Sequence, residues 1–440
     1  MKRRLLLGLF LALLGANLLL GWRVQVLSAA EDEEDKDAPY RSIELLTEVM
    51  AIIRRDYVAG EDLSYQKLVY NALKGMLASL DPHSQFMEPP TFEEMKQETS
   101  GKFGGIGVII SLKDGILTVI SPIEDTPGFK AGLCPGDKII RIDGKSTDKM
   151  GLEEAVRQLK GTPGTTVTLG ILRPATSEIK DLTITRDVIK ALSVKDERIL
   201  GDQIGYIRIT QFNEPTAKEF EDALLKLEKE NMGALVLDLR NNPGGLLESA
   251  VDVAGKFLPK GELVTYTEGR NPSVKNMYRV RESSSHPSYP LAVLINEGSA
   301  SGSEIVAGAL QDSKRAIIVG ETSFGKGSVQ SVIPLRDGSA IRMTTALYYT
   351  PGKRLIHEHG VTPDIVVPMS DDDWKQVLLQ RTQNLLEGKE PKGSQVDPTR
   401  RTEIRPPVVR DVQLDRAVDL LKGIVTYLRR NGQDAAHLSP

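Results

Sequence analysis

The stretch from Leu291 to Gln330 constrains the fold more than any other part of the chain. Residues 291–295 are all apolar and predict a buried strand, which a turn of small residues follows. After Glu304 the apolar residues recur with helical spacing, and residues 316–319 predict a second strand before a glycine-rich loop. This order of strand, turn, helix, strand and loop predicts an α/β fold. The helix would begin at the turn and offer unpaired backbone N–H groups to an anion.

The small-residue turn and the glycine-rich loop supply a candidate nucleophile and a candidate base. Lys326 stands between two glycines in the loop, where small neighbours allow a narrow, dry site. A neutral amine can accept the proton of a serine hydroxyl when burial has lowered the pKa of the amine. The spacing leaves the partner serine open. The candidates are Ser299, Ser301, Ser303 and Ser323.

Four ordered segments give the chain a specific resemblance to a known family. They read D-L-R-N-N-P-G-G from residue 238, S-A-S-G-S-E from 299, F-G-K-G-S-V-Q from 324 and H-G-V-T-P-D from 359. In this order they resemble the carboxy-terminal processing proteases, a family of serine–lysine peptidases. The family often has alanine at the position of Gly302, and a residue that acts through its backbone tolerates that change.

The resemblance implies a role for each polar residue of the site. Ser301 would be the nucleophile and Lys326 its general base. Gln330 would orient the amine, and Glu304 would complete the polar network. If residues 326–330 are extended, the lysine and the glutamine point to one face, which agrees with these roles. Taken singly, Ser301 and Glu304 also fit an ordinary capping box. The implied oxyanion hole consists of the backbone N–H groups of Gly245 and Gly302.

Two other motifs overlap the glycine-rich loop. Residues 320–326 match the start of a phosphate-binding loop, but Gly327 stands where that motif needs serine or threonine, and a strand-like pattern follows instead of a helix. Residues 323–326 spell the S-x-x-K motif of penicillin-binding proteins, which needs a helical turn that the two glycines oppose. None of the five histidines neighbours a convincing acid–nucleophile pattern. The serine–lysine interpretation is therefore preferred, and no metal or cofactor is expected.

Residues 101–188 resemble a PDZ domain. Residues 103–110 are similar to the glycine-rich loop and first strand of that fold, and the run A-G-L-C-P-G-D-K-I-I-R-I-D-G from residue 131 matches a longer part of it. The amphipathic residues 150–160 predict the helix beside the groove. Loop N–H groups would bind a terminal carboxylate, and the neighbouring strand edge would pair with the peptide. The expected peptide-binding residues are Gly105, Ile106, Gly107 and Val108.

Strands and helices alternate in the segments around the central stretch. Gly244 and Gly245 would begin a helix, at the position where an oxyanion is stabilised. The predicted elements are strands over 204–209 and 234–239, helices over 216–230, 246–257, 374–386 and 414–430, and a polar loop over 271–290.

The expected fold is an α/β peptidase body with an inserted PDZ domain and helical regions at both ends. The resemblance implies a crotonase-like or Clp-like core, whereas the residues alone indicate only alternating strands and helices. The expected ranges are 1–30 for a signal peptide or N-terminal anchor, 31–39 for an acidic linker, 40–100 for a helical region, 101–188 for the PDZ domain, 189–370 for the peptidase body and 371–440 for a helical C-terminal region.

The first thirty residues have the pattern of an export signal. A basic head at residues 2–4 precedes an uncharged apolar run over 5–20, and residues 28–30 are small. The run is shorter than the roughly 20 residues that span a bilayer comfortably, so cleavage is favoured and an uncleaved anchor is the alternative. We expect a periplasmic or cell-envelope location, at the outer face of the inner membrane. A net charge of −4 argues against nucleic-acid binding, and a single cysteine excludes an internal disulfide.

These patterns predict an exported serine endopeptidase that recognises proteins or peptides with apolar C-termini through its PDZ domain. Two alternatives from other classes stay open. One is a catalytically inactive PDZ scaffold that binds exported proteins, and the other is an exported acyl-transfer enzyme acting on a small thioester. The resemblance also implies a homo-oligomer in which the N-terminal helical region packs against another subunit, and a plain two-helix cap on the body is the open alternative. Activation by an adaptor protein is an open expectation.

Overall fold

The computed structural model contains two compact units, one that ends at Phe86 and one that begins at Met87. The leader predicted over 1–30 lies outside the described residues, as do nearly all of the linker predicted over 31–39 and parts of the region predicted over 371–440. The described residues are 39–58, 63–113, 115–123, 125–174, 176–271, 273–387 and 410–431.

Two helices make up most of the described part of the first unit, as the sequence predicts. Helix α1 spans 39–56 and helix α2 spans Tyr65–Ala78. The Asp81 carboxylate then accepts hydrogen bonds from the backbone amides of His83 and Ser84 at 2.8 and 2.9 Å, which stabilise a turn after the helices. The exposed apolar side chains of α1 are Tyr40, Ile43, Leu45, Leu46, Val49 and Ile52.

From residue 85 to residue 190 the elements in chain order are β1 (Gln85–Met87), α3 (Pro89–Ser100), β2 (Lys102–Gly105), β3 (Val108–Lys113), β4 (Ile116–Pro122), α4 (Pro127–Lys130), β5 (Lys138–Ile142), β6 (Lys145–Ser146), α5 (Leu152–Leu159), β7 (Thr166–Arg173), β8 (Glu178–Thr185) and β9 (Asp187–Lys190). The PDZ domain is built on an antiparallel sheet with the order β3-β4-β5-β7-β8, in which the short strand β6 pairs with β5, and β2 pairs separately with β9. Helix α5 packs Ala155 and Leu159 into a core that includes Leu117 and Ile139.

The peptidase body follows with two sheets. Its elements are β10 (Val194–Ile199), β11 (Ile204–Ile209), α6 (Thr216–Lys229), β12 (Ala234–Asp238), α7 (Leu247–Ala254), β13 (Leu263–Gly269), β14 (Lys275–Arg279), β15 (Leu291–Ile295), α8 (Gly302–Asp312), β16 (Ile317–Gly320), β17 (Ser328–Pro334), β18 (Ala340–Tyr349), β19 (Ile365–Val366), α9 (Asp371–Glu387) and α10 (Val412–Arg430).

The main sheet of the body has the order β10-β11-β12-β15-β16-β19 and is parallel except for β10. Helices α6, α7 and α8 cover one face, and α10 covers the other with Ala417, Leu421 and Val425. Burial on both faces explains why β12 and β15 are almost wholly apolar. Loops at the carboxyl ends of parallel strands meet at one edge, so those after β12, β15 and β16 lie together.

The second sheet is antiparallel, with β17 and β13 on either side of β18 and β14 outside β13. Strand β14 lies within residues 271–290, which the sequence predicts as a polar loop. That prediction was wrong for Lys275–Arg279, because pairing with β13 and not an apolar pattern makes this strand.

Candidate active site

Ser301 stands at the start of α8 in a strained backbone conformation. Its φ of 53° and ψ of −111° lie outside the regions that residues with side chains ordinarily adopt. The turn after β12 presses against it, since a Cβ at Gly244 would lie 2.6 Å from the Ser301 Cβ. Only glycine permits this approach. The D-L-R-N-N-P-G-G and S-A-S-G-S-E segments therefore meet at Ser301.

The structure distinguishes the four serines that spacing alone left open. The hydroxyls of Ser299 and Ser303 are buried and donate to backbone carbonyls of the 238–245 turn at 2.8 and 2.9 Å. The Ser323 hydroxyl donates to a buried carboxylate at 2.6 Å and accepts a backbone amide at 2.7 Å. These three hydroxyls have structural partners, whereas the Ser301 side chain is only half-buried.

The carboxylate of Glu304 links the turn that carries Ser301 to the loop that carries Lys326. One oxygen accepts the backbone amides of Ser301 at 2.7 Å and Lys326 at 3.0 Å. The other accepts the Gly325 amide at 2.7 Å and the Ser323 hydroxyl at 2.6 Å. Burial raises the pKa of this carboxyl, and the four hydrogen bonds act against that rise. The same side chain thus caps α8 and holds the lysine loop.

Lys326 is half-buried at the end of the loop. Burial lowers its pKa, the positive charge of Arg342 lowers it further, and Glu304 acts in the opposite direction. A lowered pKa increases the fraction of neutral amine at a given pH. The surroundings of Lys326 therefore favour the neutral form of its amine.

The segment over 359–364 is hydrogen-bonded to the loop that carries Lys326. The Val361 amide donates to the Ser323 hydroxyl at 2.7 Å, and the Ser323 amide donates to the Val361 carbonyl at 3.2 Å. Gly360 has a φ of 69°, and a Cβ there would lie 2.4 Å from the Ser323 carbonyl oxygen. The H-G-V-T-P-D segment thus has a structural role beside the site.

Tyr348 is a site residue that sequence reasoning missed. Its ring is buried, and its hydroxyl donates to the Lys326 carbonyl and contacts the side chains of Ser301 and Glu304. Burial raises the pKa of the phenol well above its ordinary value, so the phenol stays protonated. Nothing local marks this tyrosine in the sequence, since only the pairing of β18 with β17 brings it to the loop.

Two contacts implied by the resemblance are not formed in this conformation. The Gln330 amide donates to the hydroxyls of Ser328 at 2.9 Å and Thr344 at 3.4 Å, instead of meeting the lysine. Within the part of the chain that the structure describes, no hydrogen bond joins the Ser301 hydroxyl to the Lys326 amine. The turn that carries Ser301 and the loop that carries Lys326 are joined instead through their backbone amides, which donate to the Glu304 carboxylate.

The backbone amides of Gly302 and Gly245 have no hydrogen-bond acceptor among the described residues. Gly302 opens α8, where backbone amides lack an intrahelical partner. Gly245 forms a parallel bridge with Phe212, and its two neighbours make the hydrogen bonds of that bridge at 2.8 and 2.7 Å. The Gly245 amide therefore points away from the bridge. Both amides are available to an oxyanion.

The predicted peptide-binding residues lie at the start of the PDZ sheet. The Gly107 carbonyl accepts the Ile123 amide at 2.9 Å, and the Ile106 carbonyl accepts another amide at 2.6 Å. Gly107 has a φ of 71°, which favours glycine. Strand β3 pairs with β4 on one side and ends the order of its sheet on the other, so among the described strands its outer edge has no partner.

Comparison with known proteins agrees with this architecture. The chain matches the family models of Peptidase family S41 over residues 203–367 and of the PDZ domain over residues 94–172. A carboxy-terminal-processing protease of Bartonella bacilliformis is 40% identical over 419 residues, which cover 94% of this chain and 95% of the relative. The carboxy-terminal processing protease CtpA of Bacillus subtilis is 39% identical over 320 residues, or 72% of this chain and 67% of the relative. Among solved structures, a photosystem II D1 C-terminal processing protease is similar with a TM-score of 0.43 and 30% identity, over 73% of this chain and 92% of that one.

The α/β body and the PDZ sheet, together with both family models, define a serine-type peptidase that carries a PDZ domain. The sequence identity to carboxy-terminal processing proteases, over 94% and 72% of this chain, narrows this class to one family. The chain belongs to the carboxy-terminal processing protease family. The family and the fold class predicted from the sequence are thereby confirmed.

Proposed function

We propose that this protease hydrolyses exported proteins with Ser301 as nucleophile and Lys326 as general base, after its PDZ domain has bound an apolar C-terminal tail. The observation that carries the proposal is the position of Glu304. Its carboxylate accepts the backbone amides of both residues, at 2.7 and 3.0 Å, and so keeps the two proposed catalytic groups on adjoining segments.

The proposed reaction is acyl transfer to a serine. The Ser301 hydroxyl gives its proton to the neutral Lys326 amine while its oxygen attacks the scissile carbonyl carbon. The resulting oxyanion is held by the amides of Gly245 and Gly302. The peptide C–N bond then breaks, the leaving amine takes the proton from the lysine, and an acyl-enzyme remains. Water attacks the acyl carbon and gives a proton to the lysine. The ester C–O bond then breaks, the Ser301 oxygen takes that proton from the lysine, and the carboxylic acid product leaves.

The reaction requires two side chains to change partners. The Ser301 hydroxyl must leave the Tyr348 phenol for the lysine amine, and Gln330 must turn from Ser328 and Thr344 to orient that amine. Ser301 and Gln330 are both only half-buried, which leaves their side chains room to rotate. Activation by an adaptor protein is part of the proposal, because it could supply this rearrangement. Full hydrolysis by the purified chain alone would remove the adaptor from the proposal.

Alanine substitutions of the two proposed catalytic groups test the mechanism. Ser301→Ala and Lys326→Ala should each lower the hydrolysis of an unstructured, apolar-tailed polypeptide by at least about a thousandfold. Products are identified by mass spectrometry and folding by circular dichroism. The matched controls are Ser313→Ala, at the other end of α8, and Lys229→Ala, an exposed lysine at the end of α6. Unchanged cleavage by a folded Ser301→Ala or Lys326→Ala protein would overturn the assignment.

The PDZ part of the proposal concerns the residues Gly105 to Val108 and the free edge of β3. A strand edge pairs with an extended peptide, and loop amides bind its terminal carboxylate. We expect tight binding of a tail peptide with a free carboxylate to the Ser301→Ala protein, and at least about tenfold weaker binding of the amidated peptide. Equal affinities for the two peptides would remove the terminal carboxylate from recognition.

Location and assembly are proposals on different grounds. Export to the periplasm, at the outer face of the inner membrane, is supported by the leader-like pattern of residues 1–30. Among the described helices, none combines the length and apolar character needed to cross a bilayer.

A homo-oligomer is supported by the exposed apolar side chains of α1. Light scattering of the chain with and without residues 39–58 tests the oligomer, and a monomeric full-length protein would exclude it.

A further inference from the structure

We propose that Asp411 and Gln413, at the start of helix α10, position the oxyanion turn and the lysine loop at the same time. The inference rests on the proposed function and adds two positioning residues from outside the matched peptidase range of 203–367. Neither residue touches the reacting atoms. Their effect passes through Arg240 on one side and Glu321 on the other.

The first tether is a buried ion pair between α10 and the oxyanion turn. The Arg240 guanidinium donates to both carboxylate oxygens of Asp411, at 2.7 and 2.8 Å, across 171 residues of chain. It also donates to both oxygens of Asp238 at 2.9 and 2.7 Å. The Arg240 side chain is fully buried between the two carboxylates. Bidentate pairs of this kind have a restricted geometry, so Asp411 and Asp238 together restrict where the guanidinium lies.

Arg240 transmits that position to the proposed oxyanion hole. It lies in the short turn between β12 and Gly245, whose amide is one of the two proposed donors. The Asn242 side chain, two residues further on, accepts the Gly244 amide at 2.9 Å and donates to the Ile209 carbonyl at 2.9 Å. The turn is thus held by buried hydrogen bonds at both ends, and α10 supplies the partner at its beginning.

The second tether joins α10 to the beginning of the lysine loop. The Gln413 amide donates to the Glu321 carboxylate at 3.0 Å and to the Val367 carbonyl at 2.9 Å, and its oxygen accepts Arg240 at 3.1 Å. Glu321 directly follows β16 and opens the loop that leads to Lys326. Gln413 is buried and connects both tethers through direct hydrogen bonds. One helix terminus holds the turn after β12 and the loop after β16.

One strand lies between the two tethers, and it leads to the proposed nucleophile. Strand β15 lies between β12 and β16 and leads to the turn with Ser301. The apolar side of α10 packs Ala417 and Leu421 against this part of the sheet. A change at Asp411 should therefore alter the turn and the loop on either side of Ser301 while the packing of α10 persists. Peptide binding at the PDZ groove should be unaffected, because neither tether involves a PDZ residue.

The test compares Asp411→Asn and Gln413→Leu with a control on the same helix. Asp202→Asn removes the ion pair of 3.0 Å that Lys422 makes in the middle of α10, so it controls for loss of a helix contact. For both tether variants we expect kcat to fall at least about tenfold, with KM within about twofold of wild type. Inhibition by a peptide aldehyde, whose serine adduct needs the oxyanion hole, should weaken by a similar factor. The control should match wild type in all three measurements.

The outcomes separate this inference from the proposed function. Wild-type kcat and aldehyde inhibition in folded Asp411→Asn and Gln413→Leu proteins would overturn the positioning role, whatever the result for Ser301→Ala. An equal fall in the Asp202→Asn control would also overturn it, because general loosening of α10 would then explain the effect. If Asp411→Asn does not fold, Glu321→Ala at a half-buried position repeats the test for the second tether. An active Ser301→Ala protein would overturn the proposed function itself, which the Asp411→Asn and Gln413→Leu variants do not test.

Discussion

The Glu304 carboxylate and the Lys326 backbone amide, 22 residues apart in the chain, are joined by a hydrogen bond of 3.0 Å. The same oxygen accepts the Ser301 amide at 2.7 Å. A glutamate that the sequence also explains as half of a capping box therefore spans both halves of the proposed site. This relationship makes Glu304 the first target for mutation.

Replacing Glu304 with glutamine should lower activity and stability together. A glutamine side chain turns an N–H₂ group toward buried donors, so at least one donor loses its acceptor at a cost of about 1–3 kcal/mol. We expect kcat to fall at least about tenfold and the free energy of unfolding to fall by a similar 1–3 kcal/mol. Urea titration and peptide hydrolysis measure both. Glu297→Gln, at an exposed position of the same turn, is the control, and equal behaviour of the two variants would contradict the bridging role.

The pH dependence of kcat/KM should follow the protonation of Lys326. The proposed base acts only when neutral, and its neutral fraction grows as the pH rises through its pKa. Burial and the charge of Arg342 place that pKa below its ordinary value of 10.5. The rate should therefore rise with pH, and Arg342→Gln should move this rise to higher pH because one cause of the lowered pKa is gone. An unchanged profile in that variant, relative to the exposed control Arg336→Gln, would exclude the electrostatic effect.

Tyr348→Phe should destabilise the lysine loop. The substitution removes the hydroxyl that donates to the Lys326 carbonyl and leaves this oxygen without that donor. Burial makes the loss cost about 1–3 kcal/mol in the free energy of unfolding. Tyr349→Phe is a close control, since the Tyr349 ring stacks on Tyr266 at 5.1 Å between centroids and a phenylalanine can keep that contact. Equal stability of the two variants would show that the Tyr348 hydroxyl contributes nothing.

His286 should make stability depend on pH. Its ring nitrogens lie 2.8 Å from Glu228 and 3.0 Å from Glu221, which Lys256 also contacts at 2.8 Å. Burial lowers the pKa of His286, but the two glutamates outweigh it and raise the pKa above 6.5. The contribution of His286 to the free energy of unfolding is therefore fully present below about pH 6.5 and is lost as the pH rises through the folded-state pKa of His286.

Urea midpoints measured from about pH 5 to pH 9 test this dependence. The difference between wild type and His286→Gln should be largest at the acidic end and shrink as the pH rises. His359→Gln, at an exposed histidine, serves as the control. A difference that grows with pH would contradict the raised pKa.

Local patterns were sufficient for the buried elements of the body. The strand predicted over 291–295 is β15, and the helix predicted over 216–230 is α6 over Thr216–Lys229. The buried residues of α6 recur with the helical period, whereas β15 is apolar throughout because both of its faces are buried. In each element, sequence and packing therefore carry the same information. Strand β14 breaks this agreement, because its polar residues form a strand only through pairing with β13.

The sequence by itself determined the family, the α/β body with its PDZ domain, and the short segments that meet at Ser301 and Lys326. Only the tertiary structure decided which serine hydroxyls are tied to buried partners, that Tyr348 reaches the lysine loop, and that Asp411 pairs with Arg240 across 171 residues. The physical reason is the separation along the chain over which each kind of interaction acts. Periodicity and turn chemistry act between near neighbours, whereas buried hydrogen bonds and ion pairs join side chains that meet only after the sheets have formed.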